Sequence, residues 1–281
     1  MRILCTALFS LTILLTGVHF SYADTMPSTF AIGIGLEVSS GSFGTGSTST
    51  YATAPVIMDW FPSDKLDFEL TVPLLYQRTM NTGHAVLGTS TQIATNNVAK
   101  SVGRGSMGGS GSGGGGIFGG QYGLGDITLT SGYTVISDSD TTPQLRPTAY
   151  VKFPTADDSK GFGTGKFDFG VGLAASKWLG NWQPFAEGRY IIQGTSNAET
   201  GAKDFYTADA GVAYIWSDRL STSTYARFGS ALFDGMSAPL EARLKMVWRF
   251  GERTYTDVYA LKGLSDGSPD YGGGASVFFE F

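Results

Sequence analysis

The chain has 281 residues, with 19 Lys and Arg against 24 Asp and Glu and a formal net charge of −5. This mildly acidic balance argues against nucleic acid as a partner. Past the amino terminus, no stretch nears the roughly 18 consecutive apolar residues that a membrane helix needs. The 40 Gly, 13 Tyr and 19 Phe instead suit twisted strands with aromatic rims.

Arg2 gives the chain a short positive start, Ile3 to Val18 is an apolar run, and Ser21-Tyr22-Ala23 places small residues before a cut. Residues 1–23 are therefore expected to be a cleaved signal peptide, leaving 24–281 as one barrel domain. Cys5, the only cysteine, lies in that leader. Its loss removes disulfides, thiol catalysis and cysteine-ligated metals together. Losing Arg2 as well leaves 18 basic against 24 acidic residues, a net charge of −6.

Twelve strands are predicted in chain order, near Phe30 to Val38, Tyr51 to Trp60, Leu66 to Gln77, Gly125 to Ile136, Gln144 to Phe153 and Lys166 to Trp178. They continue near Trp182 to Gln193, Asp204 to Trp216, Leu220 to Phe233, Pro239 to Phe250, Thr254 to Leu264 and Asp270 to Phe281. The tenth is the clearest. Leu240, Ala242, Leu244, Met246, Trp248 and Phe250 alternate there with Glu241, Arg243, Lys245, Val247 and Arg249. A soluble sandwich would not bury the second set. Lipid on one side and a wet lumen on the other accounts for both, as in an all-β, antiparallel, up-and-down transmembrane barrel. Connections alternate between short turns, such as Leu179-Gly180-Asn181, and longer loops, as periplasmic turns and extracellular loops do. An even strand count puts both termini on the periplasmic side.

Successive side chains point to opposite faces, so parity assigns a lumen-lining set. It comprises Glu37, Asp59, Asp67, Glu69, Arg146, Lys152, Asp168, Glu187, Arg189, Arg227, Glu241, Arg243, Lys245, Arg249 and Asp257, with Glu280 as a further member. Most are expected to pair across the interior. Arg227, Arg243, Lys245 and Arg249 are the best candidates for an excess of one sign, which would favour anionic solutes. Phe185, Tyr225, Tyr255, Tyr259 and Phe278 add inward aromatics. On the outward face of the last strand, Tyr271, Val277, Phe279 and Phe281 form a candidate insertion signal. Its expected partners are the barrel-insertion machinery and outer-membrane lipid.

The Gly-rich segment 78–124 is too long for one strand, and is either a plug in the barrel mouth or a surface loop. Its His84 is the only histidine past the leader, so a Ser/His arrangement rests on one loop residue and no His or Cys pair can hold a metal. Gly163-Thr164-Gly165-Lys166 runs into Phe167 and lacks the phosphate-loop spacing. No enzyme, cofactor or metal is expected.

Gly123-Leu124-Gly125-Asp126, then Ile127 to Tyr133, Tyr150-Val151-Lys152-Phe153-Pro154-Thr155-Ala156-Asp157 and Gly161-Phe162-Gly163-Thr164-Gly165-Lys166-Phe167-Asp168 resemble the meta-pathway of phenol degradation family of outer-membrane transporters. That resemblance implies a barrel and, more loosely, uptake of aromatic or hydrophobic compounds. The expected function is a porin-like channel or transporter for passive entry of small solutes through the outer membrane of a Gram-negative bacterium. A non-conducting barrel that displays its loops for adhesion is the alternative, and an outer-membrane enzyme a weaker one.

Overall fold

The structure, a computed structural model, describes residues 30–43, 48–79, 121–156, 162–194 and 202–281. The leader and most of the Gly-rich segment, with His84, lie outside the described residues. The strands are β1 (Phe30–Gly41), β2 (Ser49–Ser63), β3 (Leu66–Thr79), β4 (Gln121–Leu124), β5 (Ile127–Tyr133), β6 (Gln144–Phe153) and β7 (Asp168–Ser176). They continue as β8 (Trp182–Gln193), β9 (Phe205–Ser217), β10 (Leu220–Gly229), β11 (Leu240–Arg249), β12 (Thr254–Gly263) and β13 (Tyr271–Glu280). Consecutive strands pair antiparallel, except that β4 and β5 both pair with β3, and β1 closes on β13 from Ala31↔Glu280 to Ser40↔Tyr271. The product is a closed barrel of 12 strand positions.

Thirteen segments fill those positions because one strand is broken. β3 pairs Leu74↔Leu124 with β4 but Thr71↔Thr128 with β5, so one extra residue sits at Gly125-Asp126. Such a bulge interrupts the ladder and bends the strand. Here the partner is weak at the same point: Pro73 lies opposite Pro55 and neither has an N–H to give. Gly125 N–H still reaches the Pro73 carbonyl at 2.8 Å. The loop expected over 78–124 is thus corrected at both ends, since Arg78 and Thr79 continue β3 and the four residues Gln121–Leu124 are paired wall. This strand also ends at Tyr133, with only an isolated bridge from Ile136 to Leu145 beyond it. β10 likewise stops at Gly229, and Leu232 and Phe233 turn inward instead of extending the wall.

Alternation holds around the cylinder. In β11, Leu244 and Trp248 are exposed on the outer face while Glu241, Arg243 and Lys245 are buried inside. Outer aromatics collect at two levels. Near the short turns Trp60 stacks on Phe68 at 5.2 Å, Trp182 meets Tyr214 at 4.6 Å and Tyr214 meets Trp216 at 4.7 Å. At the loop end Phe153, Phe167 and Phe169 make a second group. Two such girdles bound the apolar belt of a membrane barrel. Leu244 lies between them. We expect Leu244→Arg to cost about 2–4 kcal/mol, the penalty of a cation near the bilayer midplane, in urea titrations of the protein folded into lipid vesicles.

Candidate functional site

The interior is a belt of ion pairs set up by strand register. Arg146 on β6 donates from Nε to Asp67 Oδ1 of β3 at 3.0 Å, and its Nη2 pairs with Oδ2. It reaches past β5 directly over Gly132. A Cβ there would fall 1.9 Å from the Arg146 guanidinium carbon. Arg227 on β10 grips Asp209, its direct partner on β9, with two bonds of 2.8 and 2.6 Å. Arg243 donates twice to Glu241 Oε2, Arg189 pairs with Glu187 at 3.0 Å, and Lys245 pairs with Asp257 at 2.8 Å. Arg249 spans β12 to Glu280 with bonds of 2.9 and 2.6 Å, its guanidinium over the Tyr255 ring.

Near the loop end Lys152, fully buried, bridges two carboxylates. Its Nζ lies 2.7 Å from Asp168 Oδ2 and donates to Thr164 Oγ1 at 3.1 Å. Asp126 Oδ2 is 3.4 Å away, an electrostatic contact without hydrogen-bond geometry. Each carboxylate also accepts one backbone N–H from a loop, Asp126 from Ala156 and Asp168 from Gly194, both at 3.0 Å. Lys152 therefore ties the starts of two loops to the wall.

These pairs revise the expected charge pattern. Arg227, Arg243, Lys245 and Arg249 leave no positive excess, because Asp209, Glu241, Asp257 and Glu280 each close one of them. Two of these carboxylates sit on the neighbouring strand and one lies a strand further, where only register reveals them. Asp126 and Asp209 were not among the sequence-derived lumen residues. Asp209 shares the inward parity of Phe205 and Ala213, which was the available signal. Asp59 and Glu69, directly opposed on β2 and β3, have no ion-pair partner among the described residues. Thr71 donates to Glu69 at 3.4 Å, while Asp59 Oδ1 has no hydrogen-bond partner. Glu37 is half-buried on the same inner face of β1.

Apolar clusters lie at both ends of the belt. At the loop end Phe162 packs with Phe43, Tyr51 and Leu75. A Cβ on residue 123 would come within 2.9 Å of its ring, so Gly123 makes its seat. Tyr150, Ile191, Phe205, Leu232 and Phe233 form a second cluster there. At the turn end Tyr255 and Phe278 stack in parallel at 4.7 Å beside Ala31 and Phe61. Phe185 and Tyr225 meet at 5.9 Å within the belt, and Arg243 lies over the Tyr259 ring. Tyr271, Val277, Phe279 and Phe281 are all exposed on the outer face. Phe281 N–H donates to Phe30 O at 2.9 Å across the closing seam.

A lipid-facing cylinder around a charged interior is the architecture of a transmembrane β-barrel. Residues 40–281 match the family described as "Putative MetA-pathway of phenol degradation", and the chain belongs to that family. Among solved structures, the fold is similar to a COG4313 outer membrane channel from Pseudomonas putida F1, with 15% identity and a TM-score of 0.61, covering 94% of this chain and 100% of that one. It is also similar to the KdgM porin solved with disordered oligogalacturonate, at 7% identity and a TM-score of 0.52, covering 89% and 99%. The translocator domain of the autotransporter NalP from Neisseria meningitidis matches at 11% identity and 0.50, covering 92% and 90%. No curated protein sequence matches the chain. At these identities the likeness is one of fold, which does not fix function.

Proposed function

We propose that the protein is a passive outer-membrane channel for small solutes, exported by its cleaved leader with both termini in the periplasm. The observation that carries this reading is the interior itself. Thr53, Gln183 and Tyr255 there hold buried polar atoms with no protein hydrogen-bond partner. Such groups are costly in a dry core and ordinary in one that admits water or solute. The lumen-lining residues of the ion-paired belt would then bias what passes, and the apolar clusters at both ends suit aromatic or hydrophobic cargo, in keeping with the family description. The outward Tyr271, Val277, Phe279 and Phe281 would present the strand read by the insertion machinery.

Planar-bilayer recording of the purified protein tests the proposal. Discrete conductance steps are expected; silence at every voltage would favour the loop-displaying barrel instead. Growth of a deletion strain on aromatic carbon sources tests the cargo class, and growth unchanged on all of them would remove aromatics from it.

A further inference from the structure

We propose that Asp59 and Glu69 form a seat for a positively charged group, an ammonium or other monovalent cation, so that the barrel prefers cations to anions. This rests on the channel reading. Each interior Lys and Arg among the described residues is closed by a carboxylate, whereas these two carboxylates make no salt bridge there; the cations around them, Arg189 and Lys245, are held by Glu187 and Asp257. They are direct partners on β2 and β3. Side chains at directly opposed positions start only about 4.5–5.5 Å apart, and like charges there repel. A cation between them cancels that repulsion.

A second observation comes from a different strand. The Tyr255 hydroxyl on β12 is buried with no hydrogen-bond partner, and Tyr255 shares an apolar cluster with Ile57 and Phe61, which flank Asp59 along β2, and with Ala31, which lies opposite it on β1. Asp59 itself is 2% exposed with Oδ1 unpartnered. Asp59 thus faces Glu69 across the strand pair and shares its surroundings with a buried phenol oxygen, while the guanidinium over that phenol ring, Arg249, is already closed by Glu280.

The walls narrow the class of ligand. Ile57 and Phe61 flank Asp59 along β2, Ala31 is its partner on β1, and all three join the Tyr255 and Phe278 cluster. Apolar walls around acceptors suit an organic ammonium, whose carbon body replaces the water that an inorganic ion would lose. Among the described residues no three carboxylate, imidazole or thiol groups converge as a bound metal ion would require.

The test uses the full chain in planar bilayers under a steep KCl gradient. The reversal potential should report a several-fold preference for K⁺ over Cl⁻, falling to near unity in Asp59→Asn/Glu69→Gln. A wild-type preference for Cl⁻, or a cation preference that the double variant retains, overturns the inference and leaves the channel standing. If the protein conducts nothing, the channel reading fails, and calorimetric titration of benzylammonium chloride into detergent-solubilised protein decides the seat alone. Binding weakened at least tenfold in the double variant, shown folded by its heat-dependent gel mobility, supports it. Absent or equal binding sinks it.

Discussion

Asp67→Asn should unfold at much lower urea than the parent, by about 3–5 kcal/mol, because it strands the buried Arg146 charge inside the wall. A carboxylate without an ion pair among the described residues, Glu69, lies two residues along the same face of β3, and the guanidinium would have to move to reach it. The guanidinium lies across Gly132, both members of the pair are almost wholly buried, and the adjacent lumen cations already hold their own carboxylates. The cost is one of an uncompensated charge, not of one lost contact, so removing both partners should be far milder. Asp67→Leu/Arg146→Met should recover most of the loss. Gly132→Leu supplies an independent route to the same end, since its side chain must occupy the space the guanidinium crosses. Unfolding of vesicle-embedded protein, followed by tryptophan fluorescence, reads all three. Equal stability of Asp67→Asn and parent would mean that solvent reaches this pair freely.

Period-two patterning made the outer and inner faces of β11 and β13 legible from sequence, because a charge on the lipid side is too costly to tolerate and parity is therefore strict. Two things were not legible. Ion-pair partners depend on which residue of the next strand lies alongside, so Arg227 could be placed in the lumen while Asp209 beside it could not be seen closing it. Breaks in a strand were also hidden. Gln121 to Leu124 carries a glycine and follows a Gly-rich run, and only pairing with Leu74 to Gln77 identifies it as wall. The Gly-Leu-Gly-Asp stretch marked the family without disclosing its work. Gly123 receives the Phe162 ring, and Asp126 holds the Ala156 amide beside Lys152. Both tasks join the wall to a loop distant in sequence, which local pattern does not encode. Leu232 and Phe233 misled for a related reason, prolonging the apolar content of β10 past Gly229 while belonging to the mouth cluster.

Lys152→Met should loosen the loop end of the barrel as well as destabilise it. The substitution leaves Asp126 and Asp168 facing a recess with no exposed surface, each kept by a single backbone amide, and should cost about 3–5 kcal/mol. Because those amides belong to Ala156 and Gly194, repulsion between the carboxylates is passed directly to the two loop ends. Cleavage by an added protease between Phe153 and Asp168 of the folded protein should therefore quicken. Lys177→Met provides the contrast, for its pair with Asp138 is partly exposed at the turn end and an exposed pair contributes only about 0–1 kcal/mol. A carboxylate-neutralising partner, Asp168→Asn in the Lys152→Met background, should restore part of the stability but not the bond to Thr164, so the two readouts should separate. Were both variants to behave like Lys177→Met, the buried lysine would be a bystander and the mouth would be held by its two apolar clusters.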